Sequence, residues 1–166
     1  MNVSVDEKLA YDHYLGKDYY LVHGYLEPND EWESMMIAAV NPQKPLRFYE
    51  NIVRNIDALM DRSHGLTQKT TLYSAREWDV NLTPGDVGIW KRYTSTSYSK
   101  DSAEGFMTSE RYLVKILADE GQKGLAANDD RFASFKREHE FTLPRNQEYI
   151  VLDVNHETRT ATIKLI

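Results

Sequence analysis

Two glutamates separated by a single residue, Glu138 and Glu140, are the best candidates for chemistry in this sequence. In an extended strand, residues two apart project from the same face, so both carboxylates would point together into a cleft or into solvent. Neighbouring like charges raise the pKa of at least one carboxyl group, which is tolerated where both are solvated or where a site uses them. A lone Glu-x-Glu is most often a solvated strand face, and the surrounding residues therefore decide its meaning.

A run of hydroxyl groups upstream is the second candidate. From Tyr93 to Lys100 the chain reads Tyr-Thr-Ser-Thr-Ser-Tyr-Ser-Lys, and a predicted short helix that contains Phe106 follows it. Serine-rich segments are common in turns and loops, so this run alone indicates little. Its position ahead of the glutamate pair gives it weight.

Together the two runs resemble the motifs of the ADP-ribosyltransferases. The string Glu-His-Glu-Phe-Thr-Leu-Pro-Arg over 138–145 is similar to their Glu-x-Glu motif, and the run over 93–100 is similar to their aromatic-flanked Ser-Thr-Ser motif. The resemblance extends over most of the chain and is least diagnostic over 27–44. It implies cleavage of the bond between nicotinamide and ribose in NAD+, which serves as a cosubstrate.

The resemblance also implies roles for single residues. Glu140 would stabilise the positive charge that develops on the ribose, and Ser95 would support Glu140 by hydrogen bonding. Glu138 would face the acceptor, and a glutamate at this position goes with arginine modification in this family. The pocket around nicotinamide and its ribose is expected to be formed by Tyr93, Ser95, Thr96, Ser97 and Phe106.

The arginine that holds the NAD+ phosphates or the adjacent ribose in this family is displaced in this chain. The first predicted strand reads Thr-Thr-Leu-Tyr-Ser-Ala-Arg, so Ser74 occupies the expected position and Arg76 follows two residues later. Because a two-residue offset preserves the face of a strand, Arg76 could reach the same cleft. We therefore predict that Arg76 binds NAD+, with Arg92 as the alternative.

Helices are expected in the first 65 residues of the chain. From Pro45 onward, apolar side chains recur at steps of three and four, which predicts an amphipathic helix over 45–62. Further short helices are expected over 6–15, 17–26 and 31–40.

After Gly65 the pattern changes to short runs rich in β-branched and aromatic residues, which predict strands. A short helix over 101–107 is expected between the second strand and the third, and the last two strands should form a hairpin. The six predicted strands cover 70–75, 91–95, 111–117, 138–143, 148–154 and 159–166.

The predicted fold class is α+β within a single domain over 1–166. Its N-terminal helices, over 1–65, should pack on a mostly antiparallel core over 66–166. The resemblance implies that this core consists of two sheets enclosing an NAD+ cleft.

Composition argues against several other classes of protein. The chain has 166 residues, a formal net charge of -6 and no cysteine, so a thiolate nucleophile is excluded and nucleic-acid binding through a uniformly basic surface is disfavoured. The five histidines show no metal-ligand spacing, and no metal is expected. No apolar run is long enough to span a membrane, and Met1 to Glu7 lack the pattern of a signal peptide. These features predict action in a cytoplasm, either the producing cell's own or that of a host or target cell.

The sequence therefore predicts a mono-ADP-ribosyltransferase whose acceptor is a protein arginine, recognised through a loop over 124–137. Three alternatives stay open: an NAD+ glycohydrolase, an inactive binding domain of the same fold, and transfer to nucleic acid. A delivered toxin, a phage-encoded effector and an internal regulator are all compatible with the pattern.

Overall fold

The structure, a computed structural model, describes residues 1–16, 19–27, 46–127 and 139–166. Contacts between residues divide the chain into two compact units. The first unit comprises residues 1–63 and 127–137, and the second comprises residues 64–126 and 138–166.

The described part of the first unit is helical. It contains α1 (Val5–Leu15), α2 (Tyr19–Leu26) and α3 (Leu46–Arg62), and α3 packs against the other two. The buried apolar positions of α3, among them Ile56 and Leu59, confirm the predicted amphipathic helix. The helix predicted over 31–40 lies outside the described residues.

An ion pair between the buried Glu7 and the exposed Arg62 joins the start of α1 to the end of α3. The Ser4 side chain accepts a hydrogen bond from the Glu7 amide at 3.2 Å, and the Glu7 carboxylate accepts one from the Ser4 amide at 2.9 Å. This capping box satisfies two of the amide groups at the helix start. The same carboxylate pairs with the Arg62 guanidinium at 2.7 Å, and this hydrogen bond lowers the pKa of Glu7 to about 2.

Replacing Glu7 should therefore cost stability in a pH-dependent way. We expect Glu7→Gln to lower the free energy of unfolding at pH 7 by about 1–2 kcal/mol, because glutamine can keep the capping box but loses the charge, while solvent around Arg62 screens part of the pair. Since the folded-state pKa is depressed from 4.5, the contribution of the charge is present above that value and is lost as the pH falls toward 2.

Denaturant unfolding of the wild type and of Glu7→Gln at pH 7 and at pH 3 measures this effect. The difference between the two proteins should be smaller at pH 3. Asp6→Asn, which removes an exposed charge from the same helical turn, is the control and should cost less stability. A difference that did not change with pH would contradict the assignment of the stabilisation to the Glu7 charge.

The second unit is built on an eight-stranded sheet. Its strands are β1 (Thr70–Arg76), β2 (Val87–Trp90), β3 (Thr94–Ser97), β4 (Tyr112–Ala118), β5 (Leu125–Ala126), β6 (Glu140–Leu143), β7 (Gln147–Asn155) and β8 (Thr160–Leu165). Their order across the sheet is β2-β7-β8-β4-β1-β3-β6-β5. Neighbouring strands are antiparallel except β4 and β8, which are parallel, so the predicted mostly antiparallel core and C-terminal hairpin are confirmed.

The division into two sheets is not confirmed, because hydrogen bonds join all eight of these described strands in one order. Of these strand pairs, β1 and β3 have the fewest paired residues, with Tyr73 and Ser97 as their one paired position. The short helix α4 (Lys100–Glu104) lies against both of these strands and ends at Gly105, slightly earlier than predicted.

Three short strands were not predicted correctly: β2 and β5 were missed, and β3 lies later in the chain than the strand predicted there. The predicted strand over 91–95 is wrong, because β2 ends at Trp90 and the chain becomes extended again only at Thr94. Gly88 interrupts the apolar pattern of β2, and a Cβ atom there would lie 2.3 Å from the ring of Tyr149. The close packing of this ring against the backbone, rather than strand propensity, explains the glycine. With two residues, β5 is too short to show any alternation, and it exists through its pairing with β6.

None of the helices in the described ranges is long and apolar enough to cross a membrane.

Candidate active site

A row of three polar side chains crosses three neighbouring strands of the sheet, β1, β3 and β6. β3 lies between β1 and β6, and the register pairs Tyr73 with Ser97 and Ser97 with Glu140. Directly paired residues project from the same face, and neighbouring strands lie about 4.8 Å apart. The row therefore presents a phenol, a hydroxyl and a carboxylate side by side on one face. Tyr73 was not singled out from the sequence, because only the strand register reveals it as a neighbour of this site.

Ser95 belongs to the same face, one pleat further along. It pairs with Thr142, so it lies diagonally from Glu140, whereas Ser97 lies directly opposite. Cβ atoms of direct partners are about 4.5–5.5 Å apart and diagonal neighbours are more distant, so Ser97 is the nearer of the two serines. The Ser97 Oγ accepts a hydrogen bond from the Ser99 amide at 3.0 Å, which leaves its O–H group as the donor.

Glu140 is the first residue of β6 and is half-buried, with its Oε1 atom screened from solvent. The preceding residue, His139, has a φ of 65°, which is the left-handed region and not an extended strand. The expectation that the strand starts at residue 138 is therefore wrong, and so is the reasoning that an extended His139 aligns the two glutamates on one face. Glu138 itself lies outside the described residues.

Two of the residues expected to form the pocket are enclosed by the protein. Tyr93 is 1% exposed, and the hydroxyl of the buried Thr96 donates a hydrogen bond to the carbonyl of Phe141 at 2.6 Å. The Thr96 hydroxyl therefore attaches β3 to β6, and the Tyr93 ring belongs to the protein interior. Phe106 differs, since it is 68% exposed and follows the end of α4. It is accessible to a ligand, as its predicted role requires.

Arg76 ends β1 and projects toward β3. Its Nη1 atom donates a hydrogen bond to the hydroxyl of Thr94 at 3.1 Å, and its guanidinium carbon lies 3.9 Å from the centre of the Trp90 ring. By register, Arg76 and Thr94 project from the face opposite to that of Ser95 and Glu140. The structure thus brings the guanidinium next to the strand of the Ser-Thr-Ser run, but not onto the face of the carboxylate. The reasoning that a two-residue offset places Arg76 on the face of the cleft is therefore wrong, because that face is the one of Tyr73 and not of Ser74 and Arg76.

Aromatic rings surround this arginine. Trp90 lies 4.8 Å from Tyr149 between ring centres, and Trp78 stacks on Tyr112 at 6.1 Å. Burial raises the pKa of the Tyr149 phenol, and the positive charge of Arg76 opposes part of this shift. Burial likewise raises the pKa of Tyr98, which directly follows the Ser-Thr-Ser run. Both phenols therefore stay neutral at physiological pH.

Within the described residues, no group of histidine, aspartate and glutamate side chains is arranged to hold a metal ion.

The fold defines the class of protein to which the chain is similar. The ADP-ribosyltransferase Vis from Vibrio splendidus, in a complex with agmatine, matches with a TM-score of 0.70 at 17% identity, over 98% of this chain and 74% of that chain. C3stau2 from S. aureus, solved with NAD, matches with a TM-score of 0.69 at 16% identity, over 98% and 87%. The catalytic domain of VahC from Aeromonas hydrophila matches with a TM-score of 0.69 at 16% identity, over 98% and 99%. At these identities the likeness establishes an ADP-ribosyltransferase toxin fold.

The sequence comparison leads to the family. The family model of the ADP-ribosyltransferase exoenzymes matches residues 1–166, so the chain belongs to this family, whose members use NAD+. A search of curated proteins gives no significant match.

Proposed function

We propose that this protein is a mono-ADP-ribosyltransferase that cleaves NAD+ at the bond between nicotinamide and ribose and transfers ADP-ribose to an arginine of a protein. The observation that carries the proposal is the pairing of Glu140 with Ser97, with Ser95 on the same face. A half-buried carboxylate beside hydroxyl donors suits a ribose that becomes positively charged. The family match over 1–166 supports a single functional domain.

The chemistry follows from the charges. When the bond between nicotinamide and ribose breaks, its electron pair leaves with nicotinamide and positive charge develops on the sugar. The Glu140 carboxylate stabilises that charge, and its partial burial strengthens the interaction because the local dielectric is lower than that of water. Hydroxyl groups of Ser95 and Ser97 orient the carboxylate. The exposed ring of Phe106 is available to pack on the nicotinamide ring.

The second half of the reaction needs a nucleophile. A guanidinium nitrogen attacks the ribose carbon that nicotinamide left and gives up a proton, for which Glu138 is the acceptor. A carboxylate can also orient a guanidinium through two parallel hydrogen bonds. The complex of Vis with agmatine supports this choice, because agmatine carries a guanidinium group like that of arginine.

A segment next to β6 is proposed to recognise the acceptor. The segment predicted as a loop over 124–137 begins at Gly124, where a Cβ atom would lie 2.3 Å from the ring of Phe141, and its next two residues form β5 rather than loop. The backbone therefore packs closely on the strand that starts with Glu140. Loops held by a rigid sheet are well suited to selecting a partner. The structure describes this loop only as far as residue 127.

Arg76 projects from the face opposite to Glu140, but it lies at the end of β1 beside β3, and we propose that it contacts the NAD+ phosphates, which extend away from the ribose that Glu140 faces. We expect Arg76→Ala to weaken NAD+ binding about tenfold or more, because a charge-assisted hydrogen bond is worth roughly 1.5–3 kcal/mol. Thr94→Val removes only the hydroxyl that Arg76 contacts, and it should change NAD+ affinity by less than about twofold. Calorimetric titration with NAD+ measures both variants. Equal weakening in the two would mean that Arg76 acts through β3 and not on the phosphates.

Labelled NAD+ incubated with the protein and a cell extract tests the proposed function. We expect a labelled protein band that resists nuclease, is cleaved by agents that release ADP-ribose from arginine, and is absent with Glu140→Gln. A nuclease-sensitive signal would redirect the proposal to a nucleic-acid acceptor. Nicotinamide release without labelling would indicate an NAD+ glycohydrolase, and no release at all would indicate an inactive binding domain.

The proposal includes the cellular compartment in which the protein acts. An exoenzyme-type transferase of this kind would act in the cytoplasm of a host or target cell, as a toxin or as a phage effector. If it acts instead on its producer, the labelled band should form with an extract of the producing cell.

A further inference from the structure

We propose that Arg159 is a positioning residue for NAD+ binding, because it holds the loop that displays Phe106. This inference rests on the proposed function. The loop, here called the Phe106 loop, comprises residues 105–111 and connects α4 to β4.

Two arginines hold carbonyl groups of the Phe106 loop. The Nη1 atom of Arg159 donates a hydrogen bond to the carbonyl of Thr108 at 2.9 Å, across 51 residues of sequence. The Nη1 atom of Arg111 donates to the carbonyl of Phe106 at 2.9 Å, and the Arg111 amide donates to the carbonyl of Thr108 at 3.3 Å. The carbonyl of Thr108 therefore accepts two hydrogen bonds, one from the Arg111 amide within the loop and one from the Arg159 side chain outside it.

Arg159, the donor from outside the loop, lies in a turn that several hydrogen bonds hold in place. Arg159 lies between β7 and β8 with a φ of 51°, and its carbonyl accepts a hydrogen bond from the amide of Leu113 at 3.0 Å. Asn155 closes the turn, because its side-chain oxygen accepts hydrogen bonds from the amides of Glu157 and Thr158, both at 3.0 Å. The Arg159 backbone is thus hydrogen-bonded to the start of β4, and its side chain is hydrogen-bonded to Thr108. Arg159 therefore connects the Phe106 loop to the sheet.

The Phe106 loop needs such a connection because it has little packing of its own. Phe106 is 68% exposed, and the loop residues from Thr108 to Glu110 are exposed as well. Segments with few buried apolar contacts open locally at low free energy. Holding the loop in one conformation reduces the entropy that is lost when the ring of Phe106 packs on a ligand. The Arg159 side chain should therefore raise NAD+ affinity without touching NAD+.

A pair of substitutions isolates this effect. Arg159→Met keeps the length of the side chain and the backbone preference but removes the donor, whereas Arg159→Lys keeps a cationic donor. We expect Arg159→Met to raise the KM for NAD+ about three- to tenfold in nicotinamide release, with kcat changed by less than about twofold, and Arg159→Lys to restore part of the loss. In a Phe106→Ala background, Arg159→Met should have no further effect, because residues that act as a unit are not additive. Equal KM increases in both backgrounds would overturn the proposal.

Amide hydrogen exchange tests the same inference without relying on activity. In Arg159→Met, the amides of residues 106–111 should exchange faster than in the wild type, while those of β1 and β3 should be unchanged. Unchanged exchange in the Phe106 loop would refute the proposal that Arg159 holds this loop. If the wild type released no nicotinamide from NAD+, the proposed function would fail, and the exchange result would still decide whether Arg159 holds the loop.

Discussion

Glu140→Gln should reduce nicotinamide release from NAD+ by on the order of a hundred- to a thousandfold in kcat, the typical loss when one preorganised electrostatic contact is removed. The backbone pairing with Ser97 does not depend on this side chain. Glutamine has almost the same shape as glutamate but no charge, so it cannot stabilise a positive ribose. The KM for NAD+ should change much less, because the positive charge develops only in the transition state. Initial rates at saturating NAD+, with and without an acceptor, measure the effect.

A matched control separates chemistry from folding. Glu148→Gln makes the same change at an exposed position of β7 and should leave the rate within about twofold of the wild type. The free energy of unfolding of both variants should lie within about 0.5 kcal/mol of the wild-type value. If Glu140→Gln retained more than a tenth of the wild-type kcat, Glu140 would not be the group that stabilises the ribose.

Glu138→Gln should uncouple transfer from NAD+ cleavage. We expect ADP-ribosylation of agmatine or of a protein arginine to fall about a hundredfold or more, because an amide can neither accept the guanidinium proton nor form two parallel charge-assisted bonds with it. Hydrolysis of NAD+ by water should fall by less than about tenfold, since Glu140 still stabilises the ribose. The two rates are read from one assay, as nicotinamide released and as ADP-ribose attached to agmatine.

The Glu140→Gln variant is the reference for this prediction. Glu140→Gln should lose both activities together, whereas Glu138→Gln should lose mainly transfer. A parallel loss of both activities in Glu138→Gln would show that the two glutamates do not divide the roles.

Several elements of the fold were predictable because local patterns define them. The amphipathic helix predicted over 45–62 is observed as Leu46–Arg62, since the spacing of its apolar residues leaves one stripe to bury. The first strand and the C-terminal hairpin were also predicted, because their β-branched residues stand between clear turn signals. Strands β2 and β5 were not, since they form by pairing with β7 and with β6, and neither pairing leaves a local pattern in so short a segment.

The candidate site divides in the same way. The order of its motifs and the residue types in them were evident from the sequence, and they resemble those of the ADP-ribosyltransferases. The burial of Tyr93, the stacking of Arg76 on Trp90 and the place of Tyr73 beside Ser97 were not evident. Each of these depends on a partner that is distant in the chain.

By itself, the sequence determined which chemistry is available, because a carboxylate, a run of hydroxyls and an arginine are properties of residue types and of their order. Only the tertiary structure decided which of these groups share a face. Strand register pairs Ser97 with Glu140, turns Arg76 toward Thr94 on the other face, and connects Arg159 to Thr108 across 51 residues. The physical reason is that periodicity reports the burial of a side chain, whereas its neighbours across a sheet are set by hydrogen bonds between segments that are far apart in the chain.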